Sequence, residues 1–129
     1  MLVIVFLFSG ICAIGQNLIG YNETEIKEYM KENRKDMSLN TVTNTRFKYL
    51  KYSDQPESQT ILFFLNPDMV CHGVRLICEK SVRAEKVKEF DSIYAKSDEN
   101  RWIDKRDGKD YIIEVRDEDW SCIITYSIQ

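Results

Sequence analysis

Hydrophobic and polar positions alternate with a helical period near the start of this chain. Asn22 and Glu25 stand three residues apart, and Ile26 and Met30 follow on one helical stripe. The first spacing is typical of a capping box, in which each side chain binds the other residue's free backbone N–H. The pattern therefore predicts a first amphipathic helix from about Glu23 to Arg34.

Three strands separated by turn sequences are expected after this helix. The segment from Arg46 to Tyr52 alternates between hydrophobic and polar residues, whereas the segment from Thr60 to Leu65 is hydrophobic on both faces. A strand of the second kind is predicted to be central in its sheet. Asn66-Pro67-Asp68-Met69 indicates a turn before the third strand, since proline is favoured at the second turn position.

The third strand is expected in VCHGVRLICEK, which holds the only histidine of the chain. Pairing its first residue with Leu65 would place Phe63 opposite His72 and form one continuous hydrophobic face. Because side chains alternate along a strand, Cys71 and Cys78 are expected on opposite faces, roughly 23 Å apart at about 3.3 Å per residue. A disulfide between these two cysteines is therefore excluded.

A second amphipathic helix is predicted to begin after Ser81, whose hydroxyl can cap the first turn. Hydrophobic residues at helical spacing follow: Ala84, Val87, Phe90, Ile93 and Tyr94. With three more strands behind this helix, the order is αβββ-αβββ. We expect an α+β domain in which two helices pack on an antiparallel sheet. The repeated order suggests a duplicated unit, although the two halves share almost no sequence identity.

The strands behind the second helix include a hairpin whose register follows from the sequence. Asp107-Gly108 is a typical two-residue hairpin turn. Centring the hairpin on this turn places Trp102 opposite Ile113 on one face and Arg101 opposite Glu114 on the other. Hydrophobic groups then meet on one face and opposite charges on the other, as a half-buried antiparallel pair requires.

The last strand is predicted to follow a tight turn at Asp117-Glu118. This turn would bring Trp120 opposite Val115 and Cys122 opposite Ile113. The core face of the strand would then carry alternate residues, namely Trp120, Cys122, Ile124, Tyr126 and Ile128.

The first fifteen residues, MLVIVFLFSGICAIG, are uncharged and shorter than the roughly 20 residues that span a bilayer. The small residues Ala13 and Gly15 match the pattern that signal peptidase cleaves. We therefore expect a signal peptide at 1–15, cleavage before Gln16 and a single exported domain at 16–129, periplasmic or secreted, without a stable transmembrane anchor. An N-terminal anchor and a buried first strand are the alternatives.

The composition excludes disorder and argues against nucleic acid as a partner. Hydrophobic residues make up 43% of the chain, enough apolar surface to offset the entropy of folding. The 21 acidic and 18 basic residues give a net charge of −3, whereas a protein that binds phosphate backbones is expected to carry a basic excess.

Neither a metal site nor a cofactor is predicted. Zinc needs three or four converging ligands, and this chain offers His72 alone beside cysteines seven residues apart. The acidic stretch DKRDGKD lacks the spacing of a calcium loop. The carboxylates from Asp104 to Asp119 are therefore interpreted as solvated charge, and their spacing selects no catalytic pair.

The remaining cysteines leave two interpretations open. Cys78 and Cys122 are both predicted on the hydrophobic face, where they form a disulfide in an oxidising compartment or stay buried as thiols. Cys71 would be an unpaired thiol in either case. A small hydrolase or thiol enzyme that uses His72 with Cys71 or an acidic residue is the alternative functional hypothesis. Adjacent residues of a strand point to opposite faces, so that Cys71 and His72 are not expected to be in contact, which argues against this enzyme hypothesis.

Several segments resemble uncharacterised small exported α+β proteins of Gram-negative bacteria. They are NLIGYNETEIKEYM, FKYLKY, ILFFL and RWIDKRDGKDYIIEV, and they extend over most of the mature chain. The order of helices and strands is also similar to the beta-lactamase inhibitor protein fold and to small outer-membrane assembly lipoproteins. These resemblances of fold imply protein binding by a sheet face, without assigning residues to it.

The function predicted from the sequence is a non-catalytic exported domain that binds a protein or small ligand through a sheet face left uncovered by the helices. The chain holds more aromatic residues than one core readily accommodates. The candidate binding residues are Tyr49, Tyr52, Phe64 and Tyr111. The alternative is that these four residues fill both faces of a curved sheet.

Overall fold

The computed structural model describes residues 17–40, 48–55 and 58–129. These residues form two α-helices, α1 (Glu23–Asn33) and α2 (Arg83–Ile93), with a 3-10 turn at Lys80–Val82 directly before α2. The strands of the first half are β1 (Met37–Asn40), β2 (Lys48–Asp54), β3 (Gln59–Leu65) and β4 (Cys71–Glu79). Those of the second half are β5 (Ala95–Asp98), β6 (Arg101–Arg106), β7 (Lys109–Asp117) and β8 (Ser121–Ile128).

All these strands belong to one eight-stranded antiparallel sheet with the order β1-β2-β3-β4-β8-β7-β6-β5. Each half of the chain contributes four neighbouring strands, and the halves meet where β4 pairs with β8. The order of strands is therefore mirrored about the centre of the sheet. The α+β class is confirmed, with the order α-ββββ-α-ββββ along the described chain.

The two strands that the sequence pattern missed lie at the edges of this sheet. β1 has the sequence MSLN and β5 the sequence AKSD, and each is four residues long. MSLN alternates hydrophobic and polar residues and buries Met37, but four residues are too few for the pattern to identify a strand, and AKSD is exposed along its whole length. The prediction of three strands in each half is therefore wrong by one strand in each half.

The two helices begin differently. Asn22 caps α1 as predicted, since its side chain accepts a hydrogen bond from the Glu25 N–H at 2.8 Å and its own N–H donates to Glu25 Oε1 at 2.9 Å. Ser81 does not cap α2, because it lies inside the 3-10 turn, and Val82 at the N-cap position makes no side-chain capping bond. Phe90 is the buried residue of α2.

The β6–β7 hairpin has the predicted register. Trp102 pairs with Ile113 and Arg101 with Glu114. Asp107 and Gly108 have φ angles of 50° and 77°, as the two central residues of a type I′ turn require. The turn chemistry and the facing pairs agree here, so that one register is favoured over the others.

The last strand has a different register from the predicted one. Val115 pairs with Ile124 and Asp117 with Cys122, because the turn lies beyond Asp117, where the Glu118 N–H donates to the Ser121 carbonyl at 2.9 Å. The side chain of Trp120 is consequently 90% exposed rather than buried. The predicted core positions Cys122, Ile124 and Tyr126 are buried, whereas Ile128 is exposed.

A β-bulge at the start of β4 changes which side chains enter the core. Phe64 pairs with Gly73 and Leu65 with Cys71, so that His72 is an extra residue between two consecutive pairs. The bulge reverses the alternation and turns Cys71 into the core, while His72 is exposed. The prediction that Cys71 and Cys78 lie on opposite faces is therefore wrong, and Phe63 faces Val74 instead of His72.

The core lies between one face of the sheet and the two helices. Ile26 and Met30 of α1 belong to the same buried cluster as the inward residues of the sheet. The Phe90 ring of α2 contacts the rings of Trp102 and Tyr126, with centroid distances of 5.3 and 6.4 Å. The opposite face of the sheet carries no helix in the part of the chain that the structure describes. Neither described helix is long and apolar enough to cross a membrane.

Candidate binding face

The face of the sheet opposite the helices, called the outer face below, contains a groove across β2, β3 and β4. Alternate side chains of these strands line it because the residues between them point into the core. The groove has a volume of about 450 Å³ and is lined by Tyr49, Lys51, Thr60, Leu62, Phe64, Arg75 and Ile77. Its volume lies within the range of small-ligand sites. We call this site the outer groove.

Two aromatic rings and a guanidinium group form the centre of the outer groove. Tyr49 and Phe64 are directly opposite on β2 and β3, with ring centroids 6.2 Å apart. The Cζ atom of Arg75 lies 5.5 Å from the Phe64 centroid, within the range of a cation–π contact. Gly73, the β4 partner of Phe64, brings no side chain to this position. The ring and the guanidinium are thus held in place by three paired strands.

Basic side chains surround these aromatic rings. A neighbouring cavity of about 560 Å³ shares Phe64 and Arg75 with the outer groove and adds Lys48 and His72. No aspartate or glutamate is among the described residues that line either cavity. Within the described ranges, Lys48, Lys51 and Arg75 form no ion pair. The outer groove therefore presents positive charge beside apolar surface, which favours an anionic ligand.

The structure separates the four residues that the sequence suggested for binding. Tyr49 and Phe64 lie half-buried in the outer groove. Tyr52 and Tyr111 are only 5% and 7% exposed and belong to the core cluster. The Tyr52 ring packs edge-to-face on Phe63 at 5.9 Å. Tyr52 and Tyr111 are therefore core residues. The prediction that they contact a ligand is wrong, because their rings are buried.

Strand alternation predicts which of these tyrosines lie on the outer face and which lie in the core. Tyr49 and Tyr52 are three residues apart on one strand, which places them on opposite faces. The same rule puts Lys51 beside Tyr49, and the observed register of β3 and β4 adds Leu62 and Arg75, which face each other. Aromatic content alone does not indicate Lys51, Leu62 or Arg75, which enter the groove through strand alternation and pairing.

The described outer face of the second half differs from the first half in its side chains. Its described strands carry charged residues such as Arg101, Glu114 and Arg116 and no aromatic side chain, since Trp102, Tyr111 and Tyr126 point into the core. Arg101 and Glu114 face each other on β6 and β7. The two halves share a strand order but differ in the chemistry of this face.

Cys71 and His72 do not form a nucleophile and its base. The Cys71 side chain is 1% exposed and its Sγ donates to the Gly73 carbonyl at 3.3 Å, whereas His72 is exposed to solvent. Burial raises the pKa of the Cys71 thiol to about 11, so that little reactive thiolate exists at neutral pH. The bulge thus sends the thiol and the imidazole to different sides of β4.

Cys78 and Cys122 are adjacent in the core. They pair across β4 and β8, and their Sγ atoms are 3.1 Å apart. Burial raises the pKa of Cys78 to about 12, and the hydrogen bond with Cys122 acts in the same direction. Among the residues with described positions, no three His, Cys, Asp or Glu side chains are grouped to hold a metal ion.

Comparison with known proteins gives no match: no family model, curated protein or solved structure matches this chain. Function is therefore inferred from the chain's own side chains. Among them, the outer groove combines aromatic rings, positive charge and access from solvent.

Proposed function

We propose that the protein is a non-catalytic binding domain that takes a protein or small ligand in the outer groove. The observation that carries this proposal is the grouping of Tyr49, Phe64 and Arg75 on the sheet face opposite the helices. Half-buried aromatic rings gain stabilisation when a ligand removes their remaining surface from water. A guanidinium already placed over a ring loses little conformational freedom when it binds an anion.

The alternative of a small hydrolase or thiol enzyme using His72 is not favoured by any observation. The side chain of Cys71 lies in the core. No described aspartate or glutamate lines the outer groove or the neighbouring cavity that contains His72. A general base has to lie within hydrogen-bond reach of the proton that it removes, whereas the Cys71 thiol donates to the Gly73 carbonyl in the core and His72 is exposed to solvent. The outer groove accordingly supports binding rather than proton transfer.

We also propose that the domain is exported to the periplasm or beyond the cell, on the basis of the uncharged hydrophobic segment at 1–15. The signal peptide predicted at 1–15 lies outside the described residues. The first described residues belong to the core, since Leu18 and Ile19 are buried and the Asn17 amide donates to Asp104 at 2.7 Å. Cleavage before Gln16 would therefore leave every described core residue in the mature chain.

The proposal of a duplicated unit gains support from the mirrored strand order. Each half follows the order of one helix and four strands, and the last strands of the halves pair with each other. Each helix also buries hydrophobic residues in the core, namely Ile26 and Met30 in α1 and Phe90 in α2.

The binding proposal can be tested with 8-anilinonaphthalene-1-sulfonate, an aromatic anion, as the probe. In an NMR titration of amide-labelled protein, we expect shifts confined to residues of β2, β3 and β4. Arg75→Ala should weaken binding about tenfold, the order expected for losing one well-placed charged contact. Arg101→Ala is the matched control, because Arg101 is an exposed arginine on the outer face away from the groove.

Equal weakening by both substitutions, or shifts spread over the core, would contradict the proposal. This probe also binds partly unfolded proteins, so that near-ultraviolet circular dichroism has to show intact tertiary packing in each variant. Tyr49→Ala provides a second test, since it removes an outer ring without opening the core. It should lower probe affinity while leaving the unfolding midpoint nearly unchanged.

A further inference from the structure

The loop between β7 and β8 exposes the second tryptophan of the chain. The Trp120 side chain is 90% exposed, more than any other large hydrophobic residue among those described. Glu118 and Asp119 precede it in the loop. Tryptophan with so much apolar surface in water is typical of binding anchors. We call residues 118–120 the Trp120 loop.

The Trp120 loop and the outer groove have complementary chemistry. The loop carries an indole and two carboxylates, whereas the groove carries two aromatic rings, Lys51 and Arg75, with no described acidic residue in its lining. Glu118 is held by Arg116 at 2.9 Å, but Asp119 forms no ion pair with any residue in the described ranges. The acidic loop and the basic groove are thus complementary in charge, and both carry aromatic rings.

The loop does not fill the groove of its own molecule. Its exposure shows that the Trp120 ring makes almost no contact within its own chain. The loop leaves the sheet beside the Glu79 end of β4, where Glu79 pairs with Ser121. The Trp120 ring is therefore available to contact another molecule.

We propose that the Trp120 loop of one copy docks in the outer groove of a second copy. The Trp120 ring packs against Tyr49 and Phe64, and the Asp119 carboxylate pairs with Arg75. This inference rests on the proposed function and names the partner of the same groove. Because loop and groove are different surfaces, the contact is heterologous, and it extends into chains or closed rings.

Sedimentation velocity over a range of concentrations tests this proposal. The wild-type protein should increase in mass with concentration, and Trp120→Ala should weaken the association at least tenfold, as expected for a buried aromatic anchor. Arg75→Glu should have a similar effect through charge repulsion. Ile93→Ala is the matched control, since Ile93 is an exposed hydrophobic residue that belongs to neither surface.

A mixture of the two defective variants distinguishes docking from general stickiness. Trp120→Ala keeps an intact groove, and Arg75→Glu keeps an intact loop. The mixture should therefore form dimers of one copy of each and nothing larger, while each variant alone stays monomeric. A mixture that remains monomeric, or that forms the same larger species as the wild type, would overturn the proposal.

Tryptophan fluorescence gives an independent reading of the same contact. Trp102 is fully buried, so that an emission shift on assembly reports the burial of Trp120. A wild-type protein that stays monomeric at about 1 mM, a concentration at which even weak contacts are populated, overturns self-docking. If that monomer still binds the probe, the proposed function is retained and only self-docking is contradicted. If it neither associates nor binds the probe, both proposals are contradicted.

Discussion

Cys78 and Cys122 face each other directly across the two central strands, with their sulfur atoms 3.1 Å apart in the core. A disulfide requires a sulfur separation of about 2.05 Å, so that an approach of about 1 Å suffices. We expect a disulfide oxidant such as oxidised glutathione to join these residues during refolding. Each thiol then gives up one proton and one electron to the oxidant.

Intact-mass and peptide mapping measurements check this prediction. The oxidised protein should lack two hydrogens and yield one crosslinked peptide that contains Cys78 and Cys122. The bond should raise the free energy of unfolding by about 2–4 kcal/mol. Cys71→Ala should oxidise in the same way, and a map that joins Cys71 to either residue would contradict the pairing.

The parts of the fold that were predicted correctly are those in which several local signals agree. In the β6–β7 hairpin, the Asp107-Gly108 turn and the facing pairs of β6 and β7 specify the same register. In α1, the capping box and the stripe of Ile26 and Met30 specify the same start and face. Such agreement leaves few competing conformations.

The incorrect predictions arise where pairing between strands overrides the local pattern. The bulge at His72 inserts one residue into β4, and a single residue reverses the face of every side chain before it. The position of the β7–β8 turn shifts Trp120 from the core into solvent in the same way. Both features lie beside short turns, where Leu65 pairs with Cys71 and Asp117 with Cys122, and the geometry of the turn fixes the register there.

The candidate site was predicted in part. Tyr49 and Phe64 were chosen for their aromatic character, and they lie in the outer groove. Arg75 joins them only because β3 and β4 pair in one register, with Arg75 opposite Leu62. The basic character of the groove is therefore a property of the sheet rather than of any one segment.

Asn17 fixes the first described residues to the second half of the sheet. Its Nδ2 donates to Asp104 Oδ2 at 2.7 Å, and both side chains are buried. Asn17→Ala leaves that buried carboxylate oxygen without its amide donor, with Arg106 Nε 3.6 Å away. We expect the free energy of unfolding, measured in urea, to fall by about 1–3 kcal/mol.

Asn33→Ala is the matched control for Asn17→Ala. The Asn33 Nδ2 donates to the Tyr29 carbonyl at 3.0 Å, but this bond is exposed to solvent. Its loss should change the free energy of unfolding by no more than about 0.5 kcal/mol. Equal effects of the two substitutions would show that burial of the Asn17–Asp104 bond has no special role.

Substitution of Gly108 is expected to destabilise the fold because of the backbone conformation of this residue alone. Its φ is +77°, and a Cβ atom at this position would meet no atom within 4 Å. Gly108→Ala should therefore cost about 1 kcal/mol, the conformational penalty of a left-handed alanine. Gly73→Ala is the control, since its Cβ would make an ordinary contact of 3.7 Å with the Tyr126 carbonyl. A larger loss for Gly73→Ala than for Gly108→Ala would contradict this explanation.

The stability of the fold should decrease in alkaline solution. Burial raises the pKa of Cys71 from 9.0 to about 11, and burial also raises the pKa of Tyr94 from 10.0 to about 12. A group whose pKa is raised by folding stabilises the protein fully below its unfolded pKa, and that stabilisation is lost as the pH rises through the folded value. The free energy of unfolding should thus be nearly constant below pH 9.0 and fall towards pH 11.

Urea unfolding at a series of pH values, with Cys71→Ala as the comparison, isolates the contribution of one thiol. The variant lacks the buried thiol but keeps Tyr94, so that its stability should fall less steeply between the two pKa values of Cys71. The difference in the free energy of unfolding between the two proteins should change by about 3 kcal/mol over the full titration of Cys71. Parallel curves would mean that the buried thiol does not resist ionisation, and the decline would then belong to the tyrosines.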